Sequence, residues 1–436
     1  MSHKENNYIW HPFTQMKKAE EPIHIVKAKD CTLFAADGKT YLDAISSWWV
    51  NLHGHANERI ANQIAAQSKI LEHVIFAGFT HTPAIEFSKK LIGILPKKFE
   101  KVFFSDDGST AVEVAIKMVF QYWYNKGETK KIKLIAFENA YHGDTFGAMS
   151  ASARNAFNIP FAQNLFDVHH ISLPDENNIE DVCNQFNELI NSGNVAAFIF
   201  EPLVQGSAGM LMYEAKYLDR LIALAQEKQV FCIADEVMTG FGRTGKNFAI
   251  DYLQAKPDII CLSKGITGGF MPLGVTVCTN QIFDAFYDDE IGRTFFHGHS
   301  YTANPLACTA ANTSLEILLE KSCQEQIVMI HTAHTNFAEE IKTHEIVKDI
   351  RIIGSILAIE LSSGDGSSYF HSIKKDAYDY FLSKGILLRP LGNVIYILPP
   401  YCITADELKR IYETIKDSFP FLQNRLQNMT NSNAEL

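Results

Sequence analysis

Four segments of this chain carry side chains whose chemistry goes beyond packing. Ser105-Asp106-Asp107-Gly108-Ser109-Thr110 follows the apolar triplet Val102-Phe103-Phe104 and opens a helical pattern from Thr110 to Tyr124. Free N–H groups and the positive end of the helix dipole make such a start a phosphate cradle. An ordinary Ser/Asp helix cap has the same pattern. A second segment, Phe231-Cys232-Ile233-Ala234, runs into Asp235-Glu236. A carboxylate at the mouth of an apolar strand is costly to bury unless it faces a cation, and a protonated pyridine nitrogen is one such cation; a helix N-cap is the plain alternative for Asp235. Third, Lys264 sits in Ser263-Lys264-Gly265-Ile266-Thr267-Gly268-Gly269, where glycines permit close approach. Its amine could form a Schiff base, or be a solvated surface lysine. Fourth, Tyr141 and His142 follow the run Lys133 to Phe137 and offer an aromatic face for stacking, the alternative being a buried structural tyrosine. A phosphate cradle, a stacking ring, an acid for a ring nitrogen and an amine for an aldehyde are four parts that pyridoxal phosphate requires.

These side chains need a scaffold. Short β-branched runs alternate with amphipathic segments, which predicts an α/β fold with a mostly parallel sheet. Expected strands are 102–104, 133–137, 195–200, 230–234, 259–262 and 273–278, with helices over 110–124 and 215–227. Four strands end in turns bearing reactive side chains (Tyr141-His142, Glu201, Asp235-Glu236 and Ser263-Lys264), and open parallel sheets bind ligands outside their carboxyl ends. After about Glu320 the texture changes, predicting strands at 349–351 and 355–361, a helix over 373–383, a hairpin over 386–398 turning at Gly392-Asn393, a closing helix over 404–419 and a frayed tail from Asn424. The expected organisation is a large domain over 55–325 and a smaller α+β domain formed by residues 1–54 and 326–436.

Competing motifs are weaker. Gly240-Phe241-Gly242-Arg243-Thr244-Gly245-Lys246 matches most of a P-loop, but Asn247 stands where a magnesium-binding Ser or Thr is required and no strand runs into Gly240. The pairs His53/His55 and His297/His299 lack a third ligand at a recognisable spacing, so no metal is expected, and His169-His170 is expected to be a surface pair. A formal net charge of -11 argues against a dedicated nucleic-acid binder. The eight cysteines contain no C-x-x-C pair, no apolar run approaches the length of a membrane span, and the opening MSHKENNYIWHPF has no apolar core, so a cytoplasmic protein is expected.

The segment from Ala234-Asp235-Glu236-Val237 to Gly240-Phe241-Gly242-Arg243-Thr244-Gly245, followed by Lys264, resembles the class III, fold type I aminotransferases, which depend on pyridoxal phosphate; the resemblance extends over nearly the whole chain. It implies Lys264 as Schiff-base amine and proton shuttle, Asp235 beside the ring nitrogen, Tyr141 in the substrate cavity, and Gly108 with Ser109 at the phosphate. Gly298, His299 and Ser300 would complete the phosphate site of a second copy in a homodimer. Within the family, Trp10 to Met16, Ser46-Ser47-Trp48-Trp49, Tyr141 to Gly147, Arg389-Pro390 and Leu398-Pro399-Pro400-Tyr401 are similar to members that aminate 8-amino-7-oxononanoate in biotin biosynthesis. Phe13, Trp48, Tyr141, Lys264 and Gly298 would then contact substrate, and Arg389 its carboxylate. Ser207 replaces the glutamate of members acting on ornithine or 4-aminobutyrate. Phe13 replaces the tyrosine usual in S-adenosylmethionine users, and Gly298-His299-Ser300 replaces Gly-Pro-Thr. The implied donor is S-adenosylmethionine, with lysine as alternative; another ω-amino acid or diamine transaminase and a non-catalytic cofactor-binding protein are the remaining readings.

Overall fold

Strands form where the sequence is apolar on successive residues, and their order brings the reactive turns to one edge. Residues 8–155, 157–363 and 371–434 are described in the computed structural model of the chain, with side chains to residue 428. Three antiparallel strands come first: β1 (Ile25–Lys29), β2 (Thr32–Ala35) and β3 (Thr40–Asp43). The large sheet is built from β4 (Phe99–Ser105), β5 (Lys133–Phe137), β6 (Val168–Ile171) and β7 (Val195–Phe200). After a small hairpin of β8 (Val204–Gln205) and β9 (Leu211–Met212), it is completed by β10 (Phe231–Asp235), β11 (Ile259–Leu262) and β12 (Gly274–Thr279). Its order is β4-β12-β11-β10-β7-β5-β6, with only β12 reversed. Every residue of β7 and β10 is buried, as expected where helices cover both faces of a parallel sheet. The helix Gly108–Asn125 packs on β11 and β12, burying Ala111, Ala115, Met118 and Tyr122 at helical spacing.

The remaining strands are β13 (Val347–Ile353), β14 (Ile356–Leu361), β15 (Ile386–Leu387) and β16 (Val394–Ile397). Here the structure departs from the sequence reading. The expected 386–398 hairpin does not form: β15 pairs in parallel with β3, while β16 pairs antiparallel with β14. The turn at Gly392-Asn393 exists, but it hands the chain from one sheet to another. The closing helix extends over Ala405–Ala434, across Pro420, past the end expected at Phe419 and into the tail expected to fray from Asn424; residues 435–436 lie outside the described residues. Ile411, Ile415, Phe419, Leu422 and Leu426 are all buried at spacings of three and four, so the apolar stripe outweighs the single N–H that proline removes. His169 and His170 lie on the sheet-edge strand β6, half-buried rather than freely exposed, and His170 Nε2 lies 3.2 Å from the Ser152 carbonyl. Among the described residues no helix is long and apolar enough to cross a membrane.

Candidate active site

Parallel register sets the site. Ala234 of β10 lies opposite Phe200 of β7, and Asp235 opposite Cys261 of β11. The turns that follow β11, β10, β7 and β5 therefore present Lys264, Asp235, Glu201 and Tyr141 together, lining one cavity of about 450 Å³.

Asp235 is buried. Its Oδ2 lies 2.7 Å from His142 Nδ1, and its Oδ1 accepts the Val237 N–H at 3.1 Å. No helix starts here, so the capping alternative falls. Lys264 follows directly on Ser263, with its backbone in the left-handed region (φ 46°), and its Nζ stands 4.7 Å from the centre of the Trp49 ring. Among the described residues that amine has no hydrogen-bond acceptor and no ion-pair partner. Burial lowers its pKa from the ordinary lysine value, opposed by the charges of Asp235 and Glu201. A solvated surface lysine it is not.

At the helix start, both readings of Ser105–Thr110 hold. Asp107 caps the helix, its Oδ1 accepting the Thr110 N–H at 2.8 Å, which leaves the N–H groups of Gly108 and Ser109 without an acceptor among the described residues. A Cβ at Gly108 would meet Val237 Cγ1 at 2.6 Å, and Gly143 (φ 134°) presses on the Ser109 side chain, so glycine is required at both. Tyr141 lines the cavity half-buried; burial, with Asp144 nearby, pushes its phenol well above the usual range. An acid beside a histidine, an unpartnered amine, free N–H groups at a helix start and an aromatic wall fit pyridoxal phosphate.

The second acid, Glu236, is structural. It accepts from Thr239 Oγ1, Ala249 N and Ile250 N, and burial pushes its carboxyl up to about 7. The glycine-rich segment after it forms turns that lead into a single 3-10 turn (Ala249–Tyr252) and not into an α-helix, and Lys246 Nζ bonds the Asp251 carbonyl, so the P-loop reading fails structurally as well. Arg243, fully buried, donates to the carbonyls of Pro399, Trp49 and Asn51.

Trp49, which sequence reasoning did not single out from Trp48, is the tryptophan lining the cavity. The reason is backbone hand. Ser46, Ser47, Trp48 and Trp49 have φ of 51°, 46°, 82° and 74°, a left-handed turn costing roughly 1–2 kcal/mol per residue. Asp43 holds it: Oδ1 accepts the N–H groups of Ile45 and Ser47, and Oδ2 accepts Ser47 Oγ and lies 2.8 Å from His55 Nε2. Ser46 Oγ donates to the Leu398 carbonyl. The turn directs Trp49 toward Lys264, with its Nε1 donating to Tyr396 Oη at 3.1 Å. Trp48 points elsewhere. Its ring centre is 5.4 Å from that of Phe13 and 4.6 Å from the Arg389 guanidinium carbon, and none of these three lines the cavity. Asp43→Ala should lower unfolding free energy by about 3 kcal/mol, because buried N–H groups and a strained turn lose their acceptor. Urea denaturation checks this; a loss under about 0.5 kcal/mol would mean the turn holds itself.

Gly298, His299 and Ser300 lie on a largely exposed loop outside this chain's cavity. Among the described residues no three His, Cys, Asp or Glu side chains are grouped to hold a metal; His53 Nε2 lies 3.0 Å from Ser314 Oγ. Glu201, given no role by sequence reasoning, carried the same signal as Asp235, an acid closing an apolar run.

Comparison with known proteins places the chain in a family. The aminotransferase class-III family model matches residues 14–419. A Synechococcus elongatus protein named adenosylmethionine-8-amino-7-oxononanoate aminotransferase is 48% identical, covering 94% of this chain and 98% of its own. The Helicobacter pylori protein of that name is 37% identical over 92% of this chain and 94% of its own. The crystal structure of the Methanocaldococcus jannaschii adenosylmethionine-8-amino-7-oxononanoate aminotransferase superposes with a TM-score of 0.88 at 38% identity, covering 94% and 97% of the two chains. An amine transaminase from an uncultivated Pseudomonas species, in its PLP-bound form, gives 0.89 at 28% identity, covering 95% and 98%.

Proposed function

Since the chain belongs to the class III aminotransferases, which depend on pyridoxal phosphate, we propose that it transfers an amino group from S-adenosylmethionine to 8-amino-7-oxononanoate, giving 7,8-diaminononanoate for biotin biosynthesis, as a homodimer in the cytoplasm. The observation that carries the substrate assignment is the 48% identity, over nearly the full length of both chains, to the S. elongatus relative.

In this reading Lys264 holds the cofactor aldehyde, Asp235 faces its ring nitrogen, Tyr141 packs against its ring, and the Gly108 and Ser109 N–H groups take its phosphate. Bound there, pyridoxal phosphate supplies an electron sink for the carbon that gives up its proton. The chain's residues do the rest. Because burial favours the neutral amine, a released Lys264 is available as a base, within the cavity, for that proton. Asp235, fixed by His142 and by the Val237 N–H, keeps negative charge against the ring nitrogen. Trp49 walls the cavity above the amine and restricts water. The Gly298–Ser300 loop, lying outside its own cavity, suits a contribution to the phosphate site of a second copy.

Phe13, Trp48 and Arg389 form a cluster of two rings and one guanidinium, suited to an aliphatic acceptor with a terminal carboxylate. Arg389→Ala should raise KM for the keto acid about 10- to 100-fold with little change in kcat, the loss of one charge-assisted contact. Steady-state kinetics decide, and an unchanged KM would remove Arg389 from the site. Phe13 favours a second reading of the donor: it offers no hydroxyl where the S-adenosylmethionine users of the family usually carry a tyrosine. Purified protein loaded with pyridoxal phosphate should convert the keto acid with S-adenosylmethionine. Conversion with lysine alone would move the donor assignment, and none with either would end the proposal.

A further inference from the structure

Two carboxylates leave the large sheet side by side, Asp235 from β10 and Glu201 from β7, and only Asp235 has a task in the reaction proposed above. Glu201 is 6% exposed and lines the cavity. Its Oε1 accepts the Tyr141 N–H at 3.1 Å and its Oε2 the Gly206 N–H at 2.9 Å, while its carbonyl accepts Tyr213 Oη at 2.7 Å. One side chain thus ties the turn carrying Tyr141 to the loop carrying Ser207, and both segments border the cavity. Two backbone N–H groups reach its two separate oxygens, a pairing that a carboxylate offers and an amide does not, since an amide would turn its NH2 toward one of them. These contacts already suit a carboxylate, and Lys264 gives its charge a second use, since Glu201 is one of the two carboxylates that favour its protonated form.

We propose that Glu201 is a positioning residue for amino transfer, fixing Tyr141 against the cavity and supplying, beside Asp235, negative charge that keeps a cationic nitrogen at Lys264 protonated. The ionisable groups facing it are His142, Asp235, Lys264, Tyr141 and Tyr213. Burial raises its carboxyl to about 7; Asp235 adds to the rise, and His142 and the two backbone N–H groups oppose it. Glu201 is accordingly anionic above neutrality. The sign is then fixed: removing this anion weakens proton affinity at the neighbouring nitrogen, so its deprotonation moves to lower pH.

The proposal rests on the cofactor reading of the site, and the experiment separates the two. Wild-type, Glu201→Gln and Glu201→Asp proteins are loaded with pyridoxal phosphate, and the bound cofactor's absorbance is followed against pH, alongside kcat and KM. Glu201→Gln should lower the absorbance midpoint by about one pH unit and kcat by about tenfold or more, with KM for both substrates within about twofold. Glu201→Asp keeps the charge and should hold the midpoint near wild type while lowering kcat, because the shorter side chain draws away from the Tyr141 N–H. A wild-type midpoint in folded Glu201→Gln overturns the proposal. Where the glutamine variant does not fold, the aspartate variant decides, and wild-type kcat in it overturns the proposal. Wild-type protein that retains no bound-cofactor absorbance would overturn the cofactor reading instead.

Discussion

Lys264→Ala is expected to lose activity by at least about four orders of magnitude while leaving the protein folded. In this chain the amine is held where a merely structural lysine would not be. It follows an all-buried strand, its backbone is left-handed, its Nζ faces the Trp49 ring, and among the described residues no carboxylate pairs with it. Each feature opposes stability: a buried cation without a partner is unfavourable, and a left-handed non-glycine residue adds strain. Alanine removes the cation and leaves the backbone requirement as it was. The cofactor-free variant should therefore melt no lower than wild type, while cofactor added to it should show the absorbance of the free aldehyde. Thermal denaturation and absorbance read the two effects separately. A variant that keeps the wild-type absorbance, or more than about 1% of wild-type turnover, would show that another amine does this work.

How far the sequence alone reached can be argued from particular residues. Lys264 and Asp235 were legible because a charged side chain closing an apolar strand is anomalous on energetic grounds, and parallel topology then required the two ends to meet. The strands over 133–137, 195–200 and 259–262 were legible for a related reason: a strand covered on both faces is continuously apolar. Pairing partners were not. Alternation at Ile386 and at Val394 signals two strands, but nothing local says that one will join β3 and the other β14, because that choice belongs to segments more than 300 residues apart in the first case. Trp49 stayed hidden behind Trp48 since neighbours of identical type differ only in backbone hand; the Asp43 contacts that hold the turn are local, but the Ser46 bond to the Leu398 carbonyl spans 352 residues and lies in no window of sequence. The closing helix was expected to end at Phe419 and the polar tail from Asn424 to fray, a local reading, whereas the buried stripe running from Ile411 to Leu426 is a tertiary signal that carries the helix across Pro420. Glu201 shows the opposite failure: its signal was in plain view, and sequence reasoning lacked only a cation to set against it.

Asp235→Asn should reduce turnover about a thousandfold and weaken cofactor retention, with a smaller effect on folding. The isosteric amide preserves shape, and its carbonyl oxygen can still accept the Val237 N–H. What is lost is charge in a buried place, 2.7 Å from His142 Nδ1 and facing the position assigned to the ring nitrogen. An amide cannot hold a proton on that nitrogen, and with the nitrogen neutral the ring draws electrons less strongly from the carbon being deprotonated. Removing one member of a buried charge pair costs roughly 3–5 kcal/mol, which as a barrier corresponds to about two to four orders of magnitude in rate. The neighbouring acid offers an internal control. Glu236 is also buried, one residue away, and among the described residues its carboxylate bonds only Thr239 and the backbone of Ala249 and Ile250. Glu236→Gln should therefore act chiefly on the melting temperature, whereas Asp235→Asn should act chiefly on kcat and on cofactor loss during dialysis. If both variants lost turnover only in proportion to stability, Asp235 would be a scaffold residue and the carboxylate facing the ring would have to be found elsewhere.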